Sequence, residues 1–349
     1  SELRAMRSSI RAYIDTLGRI AGAPEISDAI LRQPSSTMAI KGKMTATVDE
    51  TIEHRDEMVR WFDLRELVAM GRSTLRAKAS LKELEGRPPS CRPDLEPTLT
   101  IDATPDEEFW FDYVADMGDG FDGTAPVAWL VGRDALEVPA DQFSEFPTPP
   151  TAMPPADLLV FGGDEVYTYA AEGRYESHTE LPYTMGLEGG TDKRPPLVAI
   201  PGNHDWMGGI EHFEQMFVAK RPFAGHWPTV QAHPWWHVRL PQGWWLWGID
   251  TALDNELVGD QADYFARAAE DLRPGDRVIL CSPVPLWQLR QKFREAYATL
   301  RNTLDPLVIG HGATMPVPSA GSASASITVS WRPPRSVTTG RVPYAMACI

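Results

Sequence analysis

Three short stretches of this 349-residue chain carry oxygen- and nitrogen-bearing side chains at the end of an apolar run. ADMGDG puts Asp116 two residues before Gly118, GGDEVY puts Asp164 three residues before Tyr167, and GNHDW sets Asn203, His204 and Asp205 side by side. Glycines beside the acids permit tight turns and close backbone approach, so the three loops can converge on one point. Carboxylates gathered at one point cannot all stay ionised unless a cation sits among them. Two adjacent cations resolve the conflict by sharing a bridging carboxylate and by making a bound water acidic near neutral pH. Each stretch also has a structural reading: a glycine-rich turn for GDGFDG, a helix N-cap aspartate for GGDEVY, a plain turn for GNHDW. GDGFDG lacks the regular oxygen spacing and terminal glutamate of a calcium loop.

Such residues need strands to hold them. FWFDYVADM, LLVFGGD and LVAIPGNHD are short apolar segments that run into the three loops; WWHVRL, WWLWGIDT and VILCSP follow. QADYFARAAEDL has helical periodicity, with Tyr264, Ala268 and Leu272 on one side. Strands alternating with helical or loop segments predict an α/β layered fold with a mostly buried sheet, whose strand carboxyl ends carry the site. PWWHV and GWWLWG read as core packing before a binding platform. Ahead of this domain, Leu3, Met6, Ile10, Tyr13, Ile14 and Leu17 recur at helical spacing, as do Met58, Phe62, Leu67 and Val68. They predict two amphipathic helices, closed by the breaker GRPPSCRPDLEP and packed on the core before a partner or a membrane surface.

Composition narrows the function. A formal net charge of −15 excludes a phosphate-backbone binder, so no nucleic-acid partner is expected, whereas a small phosphorylated substrate fits if metal ions supply local positive charge. Cys91, Cys281 and Cys348 are odd in number and far apart, as expected of reduced thiols in a cytoplasmic protein. Cys281 lies in an expected strand and is not a nucleophile candidate. No apolar run reaches membrane-spanning length, and no signal-peptide stretch opens the chain.

D-x-G, GDxxY and GNHD, in that order, resemble the calcineurin-like metallophosphoesterases, and in particular their purple acid phosphatase branch. The resemblance covers roughly residues 105 to 312 and implies a four-layer α/β/β/α sandwich. It implies a hydrolase of phosphate esters that uses two metal ions (iron, manganese or zinc) and a metal-bound hydroxide. By position it assigns Asp116 and Tyr167 to the first metal, Asp164 to both, and Asn203 to the second. His204 would serve the phosphoryl group or the leaving oxygen, oriented by Asp205. GID and GDQADYF continue the pattern. It then departs: Pro283 stands where the family has a metal-binding histidine, and GHGA offers His311 but Ala313 in place of the last one. Proline and alanine side chains cannot ligate metal. The second metal keeps Asp164, Asn203 and His311; His226, His233 and His237 are the spare imidazoles.

The chain thus divides into a helical extension (residues 1–100), a metallophosphoesterase-like domain (101–312) and an atypical tail (313–349). The 44 residues after Asp305 contain no Asp, Glu or Lys, where the chain average would place roughly six acids. A low-complexity tail is one reading. ITVSW and VPYAMACI are apolar for such a tail, so a frame shift near residues 305–313 is the other. The function expected is metal-dependent phosphate ester hydrolysis; the alternatives are an impaired phosphoesterase fold used as a binding or regulatory module, and a protein whose metal only fixes loop geometry.

Overall fold

The computed structural model describes residues 58–85, 97–102, 109–134, 136–137, 152–187, 194–251, 253, 257, 260–283 and 302–308. The first predicted helix, His311, Ala313 and the tail lie outside these residues. The chain forms two compact units, a larger one of residues 60–118, 156–175 and 193–349, and a smaller one of residues 1–59, 119–155 and 176–192.

The larger unit is mixed α/β. Strands β1 (Leu99–Thr100), β2 (Phe111–Val114), β5 (Leu158–Phe161), β6 (Leu197–Ala199), β9 (Trp236–Leu240), β10 (Trp244–Gly248) and β11 (Arg277–Cys281) make two sheets. One is parallel, in the order β2-β5-β6; the other is mixed, in the order β1-β9-β10-β11, with only β9 and β10 antiparallel. LLVF and LVA are buried at every position, which is why they read as unbroken apolar runs rather than alternating ones. Phe111, Tyr113, Val160 and Val198 of the parallel sheet share a core with Trp236, Val238, Leu246 and Cys281 of the mixed sheet. Helix α6 (Gln261–Ala269), which follows the short helices α4 (Asn203–Trp206) and α5 (Glu211–Phe213) in the chain, covers the mixed sheet's other face, where Trp245 and Trp247 meet Tyr264, Phe265 and Ala268. The tryptophan-rich strands are therefore core, each buried ring contributing on the order of 2–3 kcal/mol by area.

Helix α1 (Leu64–Glu85) ends one residue before Gly86, as the breaker predicts. Its orientation differs from expectation. Ser73 and Ala77 are buried, whereas Leu64, Leu67, Val68 and Leu75 are exposed. Glu66 explains the inversion: its carboxylate accepts a hydrogen bond from Thr168 Oγ1 at 2.9 Å and pairs with Arg174 at 3.1 Å. Small and polar residues dock the helix, and its apolar residues are left outside.

In the smaller unit, helices α2 (Phe121–Val131) and α3 (Leu181–Gly186) pack together, and β3 (Leu136–Glu137) pairs antiparallel with β4 (Ala152–Met153). The helices meet at Gly186, where a Cβ would lie 2.8 Å from the Ala128 carbonyl carbon. No helix among the described residues is long and apolar enough to cross a membrane.

Candidate functional site

Strands β2, β5 and β6 are neighbours and parallel, so their carboxyl ends lie side by side with Asp164 on the middle one. Both acids that follow these strands take a left-handed backbone, with φ of 54° at Asp116 and 57° at Asp164. Aspartate tolerates this conformation better than most residues, at a cost of about 1–3 kcal/mol. Local bonds hold it: Asp116 N–H donates to the Gly163 carbonyl at 3.0 Å, and Asp164 N–H to Asp205 Oδ2 at 2.8 Å. The loops also approach too closely for side chains. A Cβ on Gly118 would lie 2.0 Å from the Glu165 carbonyl oxygen, and one on Gly202 would lie 2.2 Å from Asp164 Oδ1.

Tyr167 joins the two acids. Its hydroxyl donates to Asp116 Oδ1 at 2.8 Å and reaches Asp164 Oδ2 at 3.3 Å. The other oxygen of Asp164 accepts the His204 backbone N–H at 2.9 Å. Burial pushes the carboxyls of Asp116 and Asp164 up to about 6; Asp164 raises Asp116 further, the Tyr167 bond lowers both, and His204 lowers both. The Tyr167 phenol is driven far above its usual range, by burial first and then by the two aspartates.

His204 Nδ1 lies 2.7 Å from the Thr168 carbonyl oxygen. A carbonyl only accepts, so Nδ1 carries a proton and Nε2 is the ring nitrogen left for other partners. The imidazole packs edge-on against Tyr167, with centroids 4.6 Å apart, and Trp61 stands edge-on to both rings at 5.2 and 5.7 Å.

The resemblance gives Asp205 the role of orienting His204; the hydrogen bonds of its carboxylate run to the two loops and to Tyr175. Asp205 is fully buried and accepts backbone N–H groups from Gly202 at 2.8 Å, Asp164 at 2.8 Å and Glu165 at 3.3 Å, together with the Tyr175 hydroxyl. Asn203–Trp206 form a single helical turn in which neighbouring residues point about 100° apart, so His204 and Asp205 face different ways. Asp205 is the knot that ties the GNHD loop to the GGDE loop. Beside it, the buried Glu165 carboxyl is held well above its usual range by burial and then by Asp205, and its Oε1 accepts Gly163 N–H at 2.8 Å.

Asn203 opens that turn and is half-buried. Pro283 reaches the site: a Cβ on Gly163 would lie 3.0 Å from Pro283 Cβ. The position that the resemblance gives to an imidazole thus stands against the central motif, carrying a side chain without donor atoms. Of the spare histidines, His233 and His237 are engaged in packing, and His226 is exposed. His237 Nδ1 meets the Tyr264 hydroxyl at 2.7 Å, and His233 stacks on Trp235 at 5.3 Å. Among the described residues no group of three His, Cys, Asp or Glu side chains is placed to hold a metal ion. Asp116, Asp164 and the Tyr167 hydroxyl are the oxygen donors that the loops bring to one point.

Sequence reasoning missed Trp61, Glu66, Thr168, Arg174 and Tyr175. Arg174 donates to the Tyr167 carbonyl at 3.3 Å while pairing with Glu66, so α1 is tied to the residues that set Tyr167 and His204. Glu66 and Arg174 are 108 positions apart, and no local pattern announces such a pair. The GID strand and the GDQ helix start do connect as their order suggests. Gln261 exchanges two hydrogen bonds with the Asp250 backbone, and Asp250 Oδ1 accepts Trp206 Nε1–H at 2.9 Å.

No family model matches the chain, and no curated protein matches it. Among solved structures it is similar to one described as "GAP50 the anchor in the inner membrane complex of Plasmodium", with a TM-score of 0.39 and 14% identity. That match covers 59% of this chain and 64% of the other.

Proposed function

We propose that the larger unit is a metallophosphoesterase-type domain, of the four-layer α/β/β/α arrangement, whose site is reduced to one cation and hydrolyses a small phosphate ester in the cytoplasm. The observation that carries this reading is the meeting of Asp116, Asp164 and the Tyr167 hydroxyl at one point. Of the metals that the resemblance implies (iron, manganese or zinc), an all-oxygen donor set suits manganese best. A cation bound there supplies positive charge for the phosphate oxygens.

The chain's own residues do the rest. The Thr168 carbonyl fixes the His204 ring through Nδ1, which leaves Nε2 to pass a proton to the leaving oxygen of the ester. Asp205 positions the two loops through their backbone N–H groups. The Trp61 and Tyr167 rings shield one side of the imidazole from water. Pro283 against Gly163 favours a second reading, in which the same loops hold a phosphate-bearing ligand without turning it over.

Metal content per purified chain, with hydrolysis of an aryl phosphate monoester and diester, tests both on wild type and Asp164→Asn. About one cation per chain, lost together with hydrolysis in the variant, supports the enzyme. A bound cation and measurable inorganic phosphate binding, with neither ester hydrolysed, selects the binding module. No cation in either protein overturns both readings.

A further inference from the structure

Helix α1 is amphipathic in the opposite sense from a helix that covers its own core. At 3.6 residues per turn, Leu64, Val68 and Leu75 fall within about 40° of one another and make a ridge about 16 Å long. Leu64 and Leu75 are 73% and 71% exposed, and Phe62, just before the helix, is 94% exposed. Arg65, Arg72 and Arg76 are exposed and share one flank of the ridge, while Glu66 is turned inward to Arg174. This basic flank belongs to a chain with 33 basic and 48 acidic residues, so it is a local inversion of charge.

We propose that the α1 ridge is a peripheral docking surface for an anionic lipid bilayer. An apolar ridge on a convex helix, edged with arginine, is the arrangement that lies in the headgroup region with its leucines among the upper acyl chains. The arginines meet lipid phosphates and carboxylates, and the acidic remainder of the chain is repelled, which sets the orientation. Membrane contact on this face needs no rearrangement of the helix, because Ser73, Ala77 and Glu66 already hold its other side.

The test is co-sedimentation of the full chain with vesicles of phosphatidylcholine alone and of phosphatidylcholine with about 30% phosphatidylserine, alongside sedimentation velocity. The chain should bind the anionic vesicles and weaken with salt. Arg65→Gln/Arg72→Gln/Arg76→Gln should lower the affinity roughly a hundredfold, about fivefold per arginine. Leu64→Ser/Leu75→Ser should abolish binding; both variants alter exposed positions, and an unchanged circular dichroism spectrum verifies their fold. Equal binding to both vesicle types, no binding to either, or binding unaffected by the variants overturns the proposal. So does a dimer that Leu64→Ser/Leu75→Ser dissociates, which would make a second copy of the chain the occupant.

Discussion

Replacing Asp205 by alanine tests whether the candidate site is held together as its hydrogen bonds suggest. Three backbone N–H groups and the Tyr175 hydroxyl converge on that one carboxylate, in a position with no solvent exposure. A buried donor left without its acceptor costs about 1–3 kcal/mol. Four such donors give a raw loss near the size of a whole domain's stability, about 5–15 kcal/mol. Two effects reduce it: the Glu165 N–H bond is long, at 3.3 Å, and removing the charge relieves the neighbouring Glu165 carboxyl. A loss of about 3–6 kcal/mol remains. Tyr175→Phe removes only one of the four bonds and should cost about 1 kcal/mol. Urea titration followed by tryptophan fluorescence reads the difference. With a slope of about 3 kcal/mol per molar, the midpoint falls by roughly 1–2 M in Asp205→Ala and by less than about 0.5 M in Tyr175→Phe. Asp205→Asn, which keeps one accepting oxygen, should fall between them. If Asp205→Ala stays within about 1 kcal/mol of wild type, or Tyr175→Phe costs as much, Asp205 is not the common tie of the two loops.

Burial holds His237 down at about 4, so it stays neutral in the folded chain while an unfolded histidine gains its proton near 6.5. Its contribution is complete above pH 6.5 and is lost as the pH falls toward 4, about 3 kcal/mol in all; His237→Gln should flatten that limb of a stability-versus-pH profile. Asp112 shifts the other way: burial raises it to about 7, so the folded carboxyl keeps a proton that the unfolded one loses near pH 4. Stability is therefore lost as the pH rises from about 4 to 7, and Asp112→Asn should add about 2 kcal/mol of stability at pH 8 for a half-buried group, read as a higher urea midpoint, but none at pH 3.5. Glu66→Gln breaks an ion pair whose side chains are 20% and 30% exposed, so thermal unfolding should shift by less than about 1 kcal/mol.

The strand ends were legible because the chain changes abruptly there. LLVF into GGD and LVA into IPGNHD mark buried parallel strands meeting polar loops, and the structure sets those ends side by side. Helix α6 was legible because Tyr264, Ala268 and Leu272 repeat on one face, and that face is buried. The face of α1 was not legible. Periodicity finds an apolar stripe but does not say which side a distant residue grips, and Arg174 grips the polar one. The partners of Asp205 were not legible, since the backbone groups of the GGDE loop that it binds lie 40 and 41 positions away. Tyr175 carried no signal, since its partner is 30 positions away.

The crowding at Gly118 and Gly202 makes the site's tolerance to mutation asymmetric. Any side chain at either glycine collides with backbone or with Asp164 itself, so a substitution there disrupts the loops, whereas a metal-binding side chain at the periphery can be exchanged without moving them. The same asymmetry leaves room for new chemistry. Pro283 stands against Gly163, so Pro283→His would set an imidazole beside the central loop in a single step.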